Sequence, residues 1–317
     1  MKFRFWGVRG SIPSPGPHTV RHGGNTTCIE VRSNAGTLLV LDAGTGIFPL
    51  GQELMRRRAA GGCPVDANIF VTHSHWDHIH GLPLFAPLFA KDSRICLHGA
   101  RDDATGQGIE HVLKSQLRHS YFPVAEDALG AALSYRTLAA GESYRLADVQ
   151  VANVLMNHPV TNFGYRIACD GQSLFFTGDH EPFVNPCAPG DAGWGAAQRE
   201  IARRERAIEA AMADVDALVV DCSYTVEEYP LRRGWGHGTY DAAIALALRV
   251  GARALYCTHH EPTRSDDELE TVFAGVLARW TGRLATPAGA LRVALAREGL
   301  EVDLDDMAAG APFIPPS

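Results

Sequence analysis

The chain has 317 residues, of which 46% are hydrophobic and 21% charged, and a formal net charge of −7. This is the balance of a folded globular protein, and it argues against a standing affinity for long nucleic acid, which needs a surplus of Lys and Arg in one patch. A small phosphorylated substrate is compatible with it, because bound metal ions supply positive charge that composition does not count. Seven scattered cysteines with no Cys-x-x-Cys pair argue against a disulfide framework or Cys-rich zinc site and favour a reducing, cytoplasmic setting. The opening MKFRFWGVRGSIP has no apolar run of the secretory type, and no stretch approaches the roughly 18 apolar residues of a membrane span.

In chain order, short runs rich in β-branched and aromatic residues predict strands at Thr37–Asp42, Asn68–Thr72, Val149–Leu155, Phe163–Ala168, Ser173–Thr177, Ala217–Asp221 and Arg253–Thr258. Cys169-Asp170-Gly171-Gln172 is a turn signal that predicts an antiparallel hairpin between two of them. Helical periodicity marks Arg199–Ala213, Tyr240–Val250 and Asp266–Trp280, the last opened by Ser265 as an N-cap. Hairpins followed by alternating strands and helices predict a mixed α/β sandwich. With no repeat and no linker, residues 1–307 are read as one domain and 308–317, small and Pro-rich, as a loosely ordered tail.

The chemistry concentrates in Thr72-His73-Ser74-His75-Trp76-Asp77-His78, directly after a predicted strand. Three imidazoles and a carboxylate within six positions suit a borderline metal such as zinc. His73 and His75, two apart on an extended segment, can point the same way. Asp77 and His78 diverge unless the backbone turns, and so can serve a second metal.

This His-x-His-x-Asp-His segment resembles the signature of the metallo-β-lactamase superfamily. The family's later landmarks follow in order at strand ends: His158 in LMNHP, Asp179 in FFTGD and His259 in YCTHHEP. The resemblance implies a four-layer αββα sandwich holding two divalent metal ions, zinc by default with manganese or iron as substitutes. It gives one metal His73, His75 and His158, the other Asp77, His78 and His259, and makes Asp179 the bridge. His260, next to the last ligand, is expected to face away or into the pocket. His75 stands where redox-active di-iron members carry Glu, and His78 where most antibiotic-hydrolysing members lack a histidine, so oxygen chemistry and antibiotic hydrolysis are disfavoured.

Gly234-Trp235-Gly236-His237-Gly238-Thr239 is similar to the loop of the phosphodiesterase branch, which includes ribonuclease Z and the cyclic-phosphate phosphodiesterases. His237, with Asp77, is therefore a candidate catalytic residue, placed to protonate a leaving oxygen or hold a phosphate oxygen. Phe5–Pro13 and Gly23–Thr27 resemble the glycine-rich opening of ribonuclease-Z-like enzymes. Arg9 and Asn25 there are candidate substrate contacts with a structural role as the alternative. Asp42 fits a carboxylate that orients metal-bound histidines, and Asp221 one that steadies His237. Bacterial ribonuclease Z carries a long basic arm for transfer RNA between the third His and the bridging Asp, whereas here the interval from His158 to Asp179 holds only a compact hairpin.

The expected activity is hydrolysis of a small phosphodiester such as a cyclic nucleotide or cyclic phosphate, with a second copy of the chain as a candidate partner. The alternatives are an ester, lactone or thioester hydrolase on the same scaffold and, from another class, a non-catalytic metal carrier. The amphipathic insert REIARRERAIEAAMADV reads as a surface helix or a cover for the cleft. The aromatics of residues 81–127 read as core or as the wall of a base-stacking pocket.

Overall fold

Apolar runs with no polar alternation become strands buried on both faces. Leu39 and Leu41 of β3 (Leu38–Leu41) enter one cluster of buried side chains while Leu38 and Val40 enter another. In the same way β11 (Ala217–Asp221) sends Ala217 and Val219 to one side and Leu218 and Val220 to the other, and β12 (Ala254–Thr258) divides Tyr256 from Leu255 and Cys257. Strands with this pattern need a covering layer on each face. The computed structural model, which describes residues 1–286 and 289–308, supplies it. The tail expected from position 308 lies, Ala308 apart, outside the described residues.

One seven-stranded sheet runs β16 (Glu301–Asp303), β1 (Lys2–Gly7), β2 (Cys28–Arg32), β3, β4 (Asp66–Phe70), β5 (Arg94–Gly99) and β6 (Ala132–Thr137). The other runs β15 (Arg292–Leu295), β12, β11, β10 (Gln172–Phe176), β9 (Phe163–Cys169), β8 (Val149–Leu155) and β7 (Ser143–Leu146). A two-strand ribbon, β13 (Ala285–Thr286) with β14 (Gly289–Ala290), stands apart. Pairing is antiparallel from β1 to β3 and from β7 to β10, and parallel along β3–β4–β5–β6 and β10–β11–β12–β15. Phe3, Phe5, Phe70, Tyr165, Phe176 and Tyr256 fill the space between the sheets. Helices α1 (Ile47–Ala59) and α3 (Glu110–Gln116) cover the outer face of the first sheet, and α4 (Trp194–Met212), α5 (Tyr240–Arg249) and α6 (Asp266–Trp280) that of the second. The architecture is the four-layer αββα sandwich that the resemblance implies.

The predicted hairpin forms as read. Cys169 pairs with Gln172 across Asp170 and Gly171, both at positive φ (56° and 75°), the two-residue turn that matches strand twist. Strand β4 closes at Phe70, two residues before its predicted end, because the Thr72 N–H leaves the ladder for Asp42 Oδ1 at 2.7 Å. The cap of α6 is a full box, with Ser265 accepting from the Glu268 N–H and the Glu268 carboxylate accepting from Ser265. The amphipathic insert forms the surface helix α4, which buries Ile208 and Met212. Of the aromatics between 81 and 127, Phe85 is core and Tyr121 is exposed to solvent.

Candidate metal centre

Parallel strands leave a crevice at their carboxyl ends, and the predicted residues converge there from both sheets. The segment after β4 brings His73 and His75, then turns into the short helix α2 (Trp76–Ile79), which carries Asp77 and His78. That turn is what lets the adjacent pair diverge from the first two histidines. His158 follows β8, Asp179 follows β10, and His259 follows β12. His259 holds φ 57°, a left-handed conformation that costs a non-glycine residue energy and recurs at functional sites.

Two sets of donor atoms face each other. His73, His75, His158 and Asp179 form one, and Asp77, His78, Asp179 and His259 the other, the atoms of each lying within 4.8 Å of one another. Asp179 Oδ2 is 3.5 Å from His73 Nε2 and 3.7 Å from His158 Nε2. Its Oδ1 is 3.1 Å from His78 Nε2 and 3.2 Å from His259 Nε2, while Asp77 Oδ2 is 3.1 Å from His259 Nε2. Tetrahedral ligands about 2.0–2.1 Å from a cation stand about 3.3–3.4 Å apart, so these spacings fit a cation within each set.

The outer nitrogens fix the tautomers. His78 Nδ1–H donates to Asp42 Oδ2 at 2.7 Å, and His158 Nδ1–H donates to the Gly236 carbonyl at 3.0 Å. The Thr72 and Ser223 hydroxyls, themselves donors to Asp42 and Asp221, accept from His73 Nδ1 at 3.1 Å and His259 Nδ1 at 3.0 Å. With Nδ1 protonated, each of these rings turns an Nε2 lone pair inward, the arrangement metal-binding histidines use. His158 Nε2 and His75 Nδ1 then meet at 3.1 Å. Buried His73 Nε2, His78 Nε2 and Asp179 Oδ1 have no hydrogen-bond partner. Buried polar atoms are rarely left so, and a cation in each donor set would satisfy all of them at once.

Charge agrees with this reading. Burial works against ionisation of Asp77 and Asp179, but the imidazoles of His78 and His259 outweigh it and hold both carboxyls well below the usual range. Burial lowers His73, His75 and His158, leaving them unprotonated at neutral pH. His78 and His259 are raised despite their burial, chiefly by Asp179, so a cation displaces protons there.

His237 stands at the edge of the centre, its ring stacked on His259 at 4.7 Å and its Nδ1 2.8 Å from Asp221 Oδ2. Burial opposes its charge, but Asp221 and Asp179 outweigh burial and push it up to about 9. The Thr of the His-x-Thr motif is a helix cap, with Thr239 Oγ1 accepting from the Ala242 N–H at 3.1 Å at the start of α5. The motif therefore seats the histidine just ahead of a helix start.

Three expectations on neighbouring residues resolve. His260 faces away, fully buried, with Nε2 2.8 Å from the Ala296 carbonyl. Arg9, fully buried, donates to the carbonyls of Gly23, Glu261 and Arg264 and to Asp266, and Asn25 pairs with Glu298. Both brace the glycine-rich opening and leave the substrate-contact reading behind. That opening reaches the centre elsewhere, through the Ser11 N–H on Asp77 Oδ2 at 2.7 Å and through Gly10, where a Cβ would enter the His259 ring. Ser11, Thr72 and Ser223 went unread in the sequence because a lone hydroxyl or amide carries no signal until the fold sets it beside a carboxylate or an imidazole.

Residues 37–260 match the family model described as a β-lactamase superfamily domain. The chain belongs to that family. It is 26% identical over 288 residues to ribonuclease Z of Kineococcus radiotolerans (strain ATCC BAA-149), covering 80% of this chain and 86% of the relative. Among solved structures it resembles the short form of human tRNase Z, with a TM-score of 0.61 and 18% identity, covering 96% of this chain and 99% of that one. It also resembles a diphosphatase of the PhnP family, with a TM-score of 0.54 and 18% identity over 95% and 97% of the two chains. Family and site together describe a metal-dependent hydrolase whose His/Asp cluster takes divalent metals. Among the described residues, no helix is long and apolar enough to cross a membrane.

Proposed function

We propose that this hydrolase is a dinuclear phosphodiesterase acting on small phosphodiesters such as cyclic nucleotides or cyclic phosphates. His73, His75 and His158 would hold one ion and Asp77, His78 and His259 the other, with Asp179 shared between the two sets. Zinc suits so imidazole-rich a set. When bound, such a pair supplies a water made nucleophilic at neutral pH and neutralises charge on the phosphoryl oxygens. The observation that carries the reading is the His237–Asp221 pair beside the cluster. With Nδ1 committed to Asp221 at 2.8 Å, Nε2–H is the group left to meet substrate.

As the water oxygen bonds to phosphorus and the ester P–O bond breaks, Nε2 gives its proton to the departing alkoxide, and the proton released by water restores the imidazole. Asp221 keeps the ring oriented and stabilises its charged form. The ribonuclease Z relatives and the PhnP-family diphosphatase fit chemistry at phosphorus. A small substrate is favoured over transfer RNA by the net charge of −7 and by the two-residue turn that joins β9 to β10 where an RNA-binding arm would stand.

The test is a panel of cyclic nucleotides, cyclic phosphates, bis(p-nitrophenyl) phosphate, p-nitrophenyl acetate and lactones, run on metal-quantified wild type and His237→Ala. Diesters with alkoxide leaving groups should turn over in the wild type. In the variant they should slow by about 10²- to 10⁴-fold with metal content unchanged, and by much less when the leaving group is p-nitrophenolate. Cleavage confined to carbonyl esters and surviving the substitution would overturn the proposal.

A further inference from the structure

Two residues beyond Asp179, a carboxylate is buried with no cation to balance it. Glu181 is 5% exposed, and no Lys, Arg or His among the described residues forms an ion pair with it. Three neutral donors hold it instead. Glu181 Oε1 accepts from the Tyr229 hydroxyl at 2.7 Å and the Gly234 N–H at 2.8 Å, and Oε2 accepts from the Gly236 N–H at 2.8 Å. Its own backbone is tied to Asn157, whose carbonyl accepts the Glu181 N–H at 3.0 Å and whose side-chain amide donates to the Glu181 carbonyl at 2.9 Å. A buried carboxyl group is costly to keep unless its oxygens are hydrogen-bonded, which makes its three targets informative.

All three donors lie on one segment, residues 229–236, that ends at His237. Gly234 and Gly236 sit at φ 84° and 89°, and a Cβ on Gly236 would enter the His158 ring. The Gly236 peptide is held from both sides, since its N–H goes to Glu181 and its carbonyl takes the His158 Nδ1–H at 3.0 Å. The next residue is His237. Without the carboxylate this strip keeps the Gly236 carbonyl on His158 and the Trp235 N–H on the Arg232 carbonyl, but both glycine N–H groups lose their acceptor, and glycine is the least restricted backbone.

We infer that Glu181 is a positioning residue that clamps the Gly234–Gly236 backbone and thereby sets where the His237 imidazole meets the leaving group. The inference rests on the proton-donor role proposed for His237. Glu181 touches neither substrate nor metal in this scheme. It acts through two backbone amides and a phenol, and because the Gly236 carbonyl on the same strip also holds His158, metal content is measured beside turnover.

The experiment uses the full-length, metal-loaded protein and compares Glu181→Gln, Tyr229→Phe, His237→Ala and the Glu181→Gln/His237→Ala double variant, on an alkyl-leaving and a p-nitrophenyl-leaving phosphodiester. Glu181→Gln should keep its metal content and lose about 10- to 100-fold in kcat on the alkyl diester, with KM little changed and p-nitrophenyl turnover nearly intact. Tyr229→Phe, which removes one donor and keeps the carboxylate, should show a smaller loss of the same kind and stays readable if Glu181→Gln folds poorly. In the double variant the Glu181 effect should vanish, because removing the imidazole leaves nothing to position. Equal losses on both leaving groups, or an undiminished Glu181 effect in the His237→Ala background, would overturn the inference. Failure of His237→Ala itself to distinguish the leaving groups would instead overturn the proton-donor reading beneath it.

Discussion

The Asp42 carboxylate meets the outer nitrogen of His78 at 2.7 Å and also accepts from the Thr72 N–H and hydroxyl. It sits at φ 60°, fully buried. One side chain thus ends strand β4, orients Thr72 against His73, and fixes the His78 tautomer. Asp42→Asn keeps the shape but sets an amide against donors that need an acceptor. Metal affinity should fall about 10- to 100-fold, and titration with a competing chelator would show that loss concentrated in one of two bound equivalents. Unchanged affinity for both would mean that Thr72 and the strand ends orient the rings without help. Asp42 was legible in the sequence because it ends an apolar run ahead of Ala-Gly-Thr-Gly. Glu181 and Ser223 were not, since their partners lie 48–55 and 36 residues away and only the fold brings them close.

Among elements, legibility followed burial only in part, since β2, buried but for Arg32, drew no strand reading. Strands hidden on both faces, such as β10, β11 and β12, are continuous apolar words and were found to within a residue or two. The edge strands β6 and β7 alternate exposed and half-buried positions, and neither is among the strands read from the sequence. Yet β7 closes one side of the fold through His98 of β5, which stacks on Phe70 at 4.3 Å, donates from Nε2 to Asn68 Oδ1 at 3.1 Å and accepts the Tyr144 hydroxyl on Nδ1 at 2.9 Å. Burial, aided by Arg136, lowers the His98 pKa to about 4. Because the folded value lies below the unfolded value of about 6.5, the unfolded chain takes up the proton first. The contribution is therefore intact above pH 6.5 and is lost as pH falls toward 4. Between pH 7 and pH 5 it should cost about 2 kcal/mol. Denaturant unfolding at the two values should show a smaller pH difference for His98→Gln than for wild type, and equal differences would place the acid sensitivity elsewhere.

At the scale of the whole molecule, the centre is a seam between the two sheets. His73, His75, Asp77 and His78 hang from the first sheet, and His158, Asp179 and His259 from the second. Each donor set draws on both: His158 and Asp179 join His73 and His75, while Asp179 and His259 join Asp77 and His78. A cation in either set would bond the halves of the sandwich across their shared edge, adding to the apolar layer between them. Such ions bind the folded chain and not the dispersed ligands of the unfolded one, so they should stabilise it by about 1.4 kcal/mol for each tenfold excess of free metal over its dissociation constant. Thermal unfolding should accordingly move to lower temperature on chelation and recover when zinc is restored. The shift should be smaller in His259→Ala, which leaves the second set with one ligand fewer. If metal content falls to zero while the midpoint stays put, the ions serve the reaction alone, and the sheets are held together entirely by the aromatic layer of Phe3, Phe5, Phe70, Tyr165 and Tyr256.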